Sequence, residues 1–169
     1  ITHIRHSIRN QEDHQLNPEG IALAQKVGSQ FSSFDYVLTS NIERAIETAS
    51  VAGFPGNEKS ETLSQMSNDV LREVIWDGGY SIWSEAFKKQ NATYAFCLKI
   101  KEVIEQTLSN VPDGGKLLVV THGGIVESSA VAMLADADFS TWGEKVGNCE
   151  GFSACFENGM YQLESILRN

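Results

Sequence analysis

The segment KLLVVTHGG, Lys116–Gly124, decides how this chain folds. Leu117–Val120 is apolar throughout, and a short apolar run bounded by turn residues reads as a strand buried on both faces, as in a parallel sheet. The turn before it is Val111-Pro112-Asp113-Gly114-Gly115, and the two glycines after it open a helix expected from Gly124 to about Leu134. Before the turn, Thr93–Asn110 has helical apolar spacing, with Ala95, Leu98, Val103 and Leu108 among its apolar positions. Helix, strand and helix in succession imply an α/β organisation.

The alternation continues outward. Ile1–Arg5 reads as a short strand. Asn17-Pro18-Glu19 then looks like a helix start, with Asn17 as N-cap, Pro18 in the first turn and an apolar stripe of Ile21, Leu23, Ala24, Val27 and Phe31. Phe34–Thr39 is a second strand candidate, and a helix follows from about Ile42 to Ala52, stopped by Gly53 and Pro55. Residues 57–91 are the least regular and read as an excursion with one or two short helices, in which Trp76, Tyr80 and Trp83 are candidates to line a substrate mouth. Gly151–Phe156 and Met160–Ile166 flank Glu157-Asn158-Gly159, a hairpin signal. The expected fold is an α/β sandwich with a mainly parallel central sheet, in a single domain over residues 1–169 with a cap at about 57–91.

Composition narrows the function. The 169 residues carry a formal charge of −9, which argues against nucleic acid as a partner, since that affinity rests on Lys and Arg neutralising phosphates. Any phosphate must therefore be held in a local basic pocket. Cys97, Cys149 and Cys155 have no metal-like spacing and point to free thiols in a cytoplasmic protein. No apolar run approaches the length of a membrane span, and no signal-peptide pattern is visible.

In open α/β sheets ligands bind beyond the carboxyl ends of the strands. Here the first strand ends in Arg5-His6 and the second in Thr39-Ser40, with Arg44 in the next helix turn. The third ends in Thr121-His122, followed by Gly123-Gly124. If the strands are parallel, two histidines and at least two arginines converge on one edge beside helix N-termini, which favour anions. Such a group suits phosphoryl transfer: nearby arginines keep His6 neutral and nucleophilic and bind the phosphoryl oxygens. His3 and His6 share an H-x-x-H spacing, but in a strand these positions face opposite sides, so no metal is expected.

IRHSIR, LNPEGIALAQ, TSNIERAIETA and VVTHGG, in this order and spacing from Ile1 to about Val126, together resemble the histidine phosphatase superfamily, which includes phosphoglycerate mutases and small phosphatases. The resemblance implies a phosphoglycerate mutase-like three-layer α/β/α sandwich and a metal-independent phosphomonoester hydrolase with no cofactor. It implies His6 as the transiently phosphorylated nucleophile, His122 as a catalytic and phosphate-pocket residue, and Arg5 and Arg44 in the same pocket. Arg9 resembles a second arginine of some phosphatase branches, and Asn10 and Ser40 are candidate polar neighbours. The implied substrate is a phosphorylated small molecule or phosphopeptide.

Two positions depart from the pattern. Ser7 stands where the family usually has glycine, either crowding the phosphate or adding a hydrogen bond. For the leaving-group acid, Glu73 in VLREV is the expected donor, with Asp69 and Asp77 as alternatives; Gln65 in TLSQM lies in a comparable pattern but cannot act as an acid. His14 is expected to have no chemical role. The rival readings are mutase-type phosphoryl transfer and a catalytically silent phospholigand-binding module.

Overall fold

A computed structural model describes residues 1–75 and 78–169. The chain forms β1 (Thr2–Arg5), α1 (Pro18–Gly28), β2 (Tyr36–Ser40), α2 (Glu43–Val51), β3 (Glu58–Ser60), α3 (Asn68–Glu73), α4 (Gly79–Lys88), α5 (Ala92–Leu108), β4 (Leu117–Thr121), α6 (Ile125–Met133), β5 (Gly151–Glu157) and β6 (Met160–Leu167). One six-stranded sheet runs in the order β3-β2-β4-β1-β5-β6. β3, β2, β4 and β1 pair in parallel, and the β5–β6 hairpin adds antiparallel to β1.

Period-two alternation puts a core on each face of the sheet. Ile4, Val37, Leu118 and Val120 pack with Ala45 and Ala49 of α2 on one side. Leu38, Leu117, Val119 and Phe152 pack with residues of α4, α5 and α6 on the other. All five residues of β4 are buried, as expected of the strand that has both faces covered and two parallel neighbours.

Three expectations need correction. β3 was not foreseen within 57–91: Glu-Lys-Ser carries no apolar alternation, because this edge strand is held by backbone pairing to β2 with little side-chain burial. In α5 the buried stripe is Thr93, Cys97, Ile100, Ile104 and Thr107, whereas Ala95 and Leu98 are exposed. Two threonines close that stripe, their hydroxyls satisfied by Glu73 and by the Val103 carbonyl, and their polarity disguises the phase. Tyr80 and Trp83 are core residues at 0% and 1% exposure rather than mouth residues, and Trp76 lies outside the described residues.

Local chemistry explains the segments that matter for the site. Asn17 accepts the Gly20 N–H at 2.7 Å, capping α1 with Pro18 in the first turn. Gly20 lies so close to the chain after β1 that a Cβ there would stand 1.9 Å from the Ile8 carbonyl oxygen. The hairpin turns through Asn158 and Gly159, both at positive φ, which suits an Asn-Gly type I′ turn. Gly20→Ala is expected to destabilise the protein by about 2 kcal/mol or more through this clash, read as a fall in the urea midpoint. An unchanged midpoint would show that α1 does not press on the His6–Asn10 segment.

Candidate active site

Parallel pairing brings the strand ends to one edge. Arg5 of β1 is in register with Thr121 of β4, and Thr39 of β2 with Val120. Beyond the last pairs stand His6 and His122, each 5% exposed, with ring centroids 5.2 Å apart. The His6 N–H donates to the Thr121 carbonyl at 2.8 Å, so the backbone of one strand fixes the other's histidine.

Hydrogen bonds orient both rings and assign the tautomer of His6. His6 Nδ1 lies 2.6 Å from the Ser7 carbonyl, an obligate acceptor, so Nδ1 carries the proton. Nε2 is the lone-pair nitrogen, and it accepts Arg44 Nε–H at 3.0 Å. Ser40 Oγ accepts the Ile42 N–H at 3.3 Å and lies 2.8 Å from His122 Nε2, a contact that orients the ring and that either tautomer can make. His122 Nδ1 has no hydrogen-bond partner among the described residues. The rings are anchored at opposite nitrogens, His6 at Nδ1 and His122 at Nε2, and the His6 lone pair lies on the Arg44 side.

The electrostatics suit an anion. Burial, with Arg44, Arg5 and Arg9 nearby, lowers the His6 pKa to about 3, although the Ser7 carbonyl opposes this. Burial also lowers His122 to about 3, aided by Arg44, His6, Arg5 and His3. Arg44 is itself lowered by burial and by the charges of Arg9 and Arg5. Three of the chain's five arginines thus repel one another around two neutral imidazoles. Arg9 additionally donates through Nη1 to His14 Nδ1, so His14 is a partner of the arginine cluster, which sequence reasoning missed. Glu47 does not pair with Arg44; it accepts the Leu16 N–H at 2.7 Å and ties the 9–16 loop to α2.

Ser7 does not enter the pocket. It is fully buried, its hydroxyl donates to the Gly20 carbonyl at 2.7 Å, and its N–H donates to Thr48 Oγ1 at 2.9 Å. Asn148 Nδ2 donates to the His6 carbonyl at 3.0 Å, and Arg5 Nη1 donates to the Val146 carbonyl at 2.8 Å, so a single loop holds both residues. His3 is a core residue, bonded to Ser129 and Thr121 hydroxyls at 2.7 Å each. Asn10 Oδ1 accepts the Glu12 N–H and shapes the loop rather than the pocket.

Glu73, the expected proton donor, meets the start of α5. Its carboxylate accepts the Ala92 N–H at 3.3 Å and, from Thr93, the N–H at 2.8 Å and hydroxyl at 2.7 Å, at the start of α5. The Thr93 hydroxyl foremost holds its pKa below the usual carboxylate range, the opposite of what an acid needs near neutrality. Asp69 is exposed and paired with Arg72 at 3.3 Å, and Asp77 lies outside the described residues. Gln65 is exposed, between Ser64, bonded to the Asn41 N–H, and Met66, whose methyl abuts Gly124.

Among the described residues no group of three His, Cys, Asp or Glu side chains could hold a metal ion, and no helix is long and apolar enough to cross a membrane. A cavity of about 830 Å³ near the start of β4 is lined by Phe31, Phe34, Glu105 and Lys116 among others, but with no histidine and Lys116 as its sole Lys or Arg it offers no phosphoryl chemistry.

A family model described as the histidine phosphatase superfamily (branch 1) matches residues 2–167. Among solved structures, a phosphoserine phosphatase from Entamoeba histolytica in complex with 3-phosphoglyceric acid aligns at TM-score 0.69 and 18% identity, covering 99% of this chain and 95% of that one. A phosphoglycerate mutase from Bacillus anthracis aligns at TM-score 0.67 and 18% identity, covering 98% and 91%. An alpha-ribazole phosphatase from Shigella flexneri aligns at 0.66 and 20% identity, covering 98% and 95%. No curated protein matches the chain in sequence.

His3, His6 and His122, all near pKa 3 when folded, make stability depend on pH. The unfolded chain protonates these rings near pH 6.5 while the native state does not, so their contribution is intact above about pH 6.5 and is lost on acidification towards pH 3. These three rings alone should give a slope of up to about 4 kcal/mol per pH unit near pH 4.5 in urea melts. Histidine 15N spectra should show His6 and His122 neutral at pH 5, with the His6 proton on Nδ1; charged rings there would contradict the assignment.

Proposed function

We propose that this chain, which belongs to the histidine phosphatase superfamily, is a phosphatase that hydrolyses small-molecule phosphate monoesters through a phosphohistidine on His6. The observation that carries the proposal is the orientation of His6 Nε2: its lone pair faces Arg44 while Nδ1–H is spent on the Ser7 carbonyl. A neutral nitrogen nucleophile inside an arginine cluster is what attack on a phosphoryl dianion requires.

In the first step Nε2 displaces Arg44 Nε and attacks phosphorus, the bond to the leaving oxygen breaks, and that oxygen takes a proton. In the second, water attacks the phosphohistidine, phosphate departs and Nε2 regains its lone pair. Arg5, Arg9 and Arg44 bind the equatorial oxygens, and His122, its ring 5.2 Å from that of His6, stabilises the developing charge beside them. Single preorganised donors of this kind are worth about 2.7–4 kcal/mol in the transition state. With Glu73 and Asp69 engaged elsewhere, Asp77 is the remaining one of the three expected carboxylates for the leaving oxygen. The chain acts as one domain with residues 57–91 as its cap, and its three free thiols favour the cytoplasm.

Rapid acid quench of wild type with an aryl phosphate should trap acid-labile phosphate that is absent from His6→Ala, with phosphate released at each turnover. Transfer to a second hydroxyl with little free phosphate would overturn hydrolysis, and tight phosphate binding with neither adduct nor turnover would mark a binding module. Asp77→Asn should lose more activity on an alkyl phosphate than on an aryl phosphate, because only the poor leaving group needs the proton; equal losses would remove Asp77 from that role. Glu73→Gln should instead lower the melting temperature and change both substrates by the same factor.

A further inference from the structure

Glu127 is a buried carboxyl group that the mechanism above leaves unused. It sits in α6, whose nine residues are all buried, and is itself 1% exposed. One carboxylate oxygen accepts the Gly124 N–H at 2.6 Å, closing the first turn of α6. The other accepts the Val146 N–H at 3.0 Å. On its other side Val146 offers its carbonyl to Arg5 Nη1 at 2.8 Å, so one residue is gripped between the buried carboxylate and the pocket guanidinium.

A helix cap needs only an acceptor, which a serine or asparagine supplies without a buried charge. An ionised carboxylate taken out of water costs several kcal/mol unless its surroundings compensate. Burial raises the Glu127 pKa, while the N–H groups of Val146 and Gly124 and the charge of Arg5 oppose that rise. The same loop is fastened to β1 by Cys149 N–H to the Arg5 carbonyl at 3.0 Å and by Arg5 N–H to the Glu150 carbonyl at 2.9 Å. Val146 is thus the point at which the buried charge and the pocket meet.

We infer that Glu127 is a positioning residue for Arg5: by fixing Val146 it aims the guanidinium into the phosphate pocket and sets a negative charge behind it. The inference rests on the phosphatase reading only for the anion that Arg5 meets, and the test separates the two. Affinity for inorganic phosphate, followed by 31P NMR, is measured with kcat/KM for wild type, Glu127→Gln, Arg5→Ala and the double variant. Gln keeps one acceptor and removes the charge, so Glu127→Gln should weaken phosphate binding about tenfold in the wild-type background. With Arg5 already absent, the same change should cost under about twofold, since two residues acting through one contact are not additive.

An equal loss in both backgrounds, or unchanged affinity with a lowered melting temperature, would overturn the inference and leave Glu127 as a helix cap. If Glu127→Gln does not fold, Glu127→Asp, which keeps the charge one methylene shorter, enters the same cycle with the same criterion. Wild type that binds phosphate without hydrolysing esters would defeat the phosphatase reading, while the phosphate cycle would still decide the role of Glu127.

Discussion

The charges of Arg5, Arg9 and Arg44 converge around two histidines that burial keeps uncharged. This cluster does not hold the fold together; the fold must hold the cluster against its own repulsion. The parallel sheet does part of this by ending β1, β2 and β4 at one level, and backbone bonds do more. His6 is fixed by Thr121, Ser7 and Asn148, and Arg5 by the 146–150 loop. Binding energy for an anion is stored in that repulsion, because a dianion entering the pocket relieves it.

Most of the sheet was legible because its signals are local. Leu117–Thr121 is a central strand by composition alone, and Asn17-Pro18 and Asn158-Gly159 fix a helix start and a turn by backbone chemistry. What was hidden depends on partners distant in sequence. β3 exists through its pairing with β2, and the seam of α5 includes threonines whose hydroxyls are satisfied by Glu73 and Val103. The contacts of Glu73 were hidden for a related reason: its partners, the start of α5 at Ala92 and Thr93, lie 19 and 20 residues further along the chain.

The site was legible in its charged residues and obscure in its supports. Arg5, His6 and His122 stand at strand ends and Arg44 in the first turn of the helix after β2, so the topology rule brings them together. Ser7 was ambiguous because one side chain can face either way; Gly20, by admitting α1 against residue 8, supplies the carbonyl that draws the hydroxyl inward. Asn148 and Val146 act across more than 140 residues of chain through backbone groups, which no local pattern reveals. Glu127 did carry a signal, as a lone charge in the apolar run IVESSAVAM.

The anchors also differ in kind in a way that matters for binding. His6, Arg5 and His122 are oriented by neutral acceptors or donors: the Ser7 and Val146 carbonyls and the Ser40 hydroxyl. A carboxylate in direct contact with Arg44 or Arg9 would orient it as well, but would cancel the charge a phosphoryl group needs. Glu47, the carboxylate one helical turn from Arg44, is instead spent on the Leu16 N–H. Among the described residues Glu127 bonds to backbone N–H groups and meets the pocket one residue removed, through Val146. In a chain of net charge −9 the acidic side chains among the described residues are thus kept off Arg44 and Arg9, so a locally positive pocket survives inside an acidic protein.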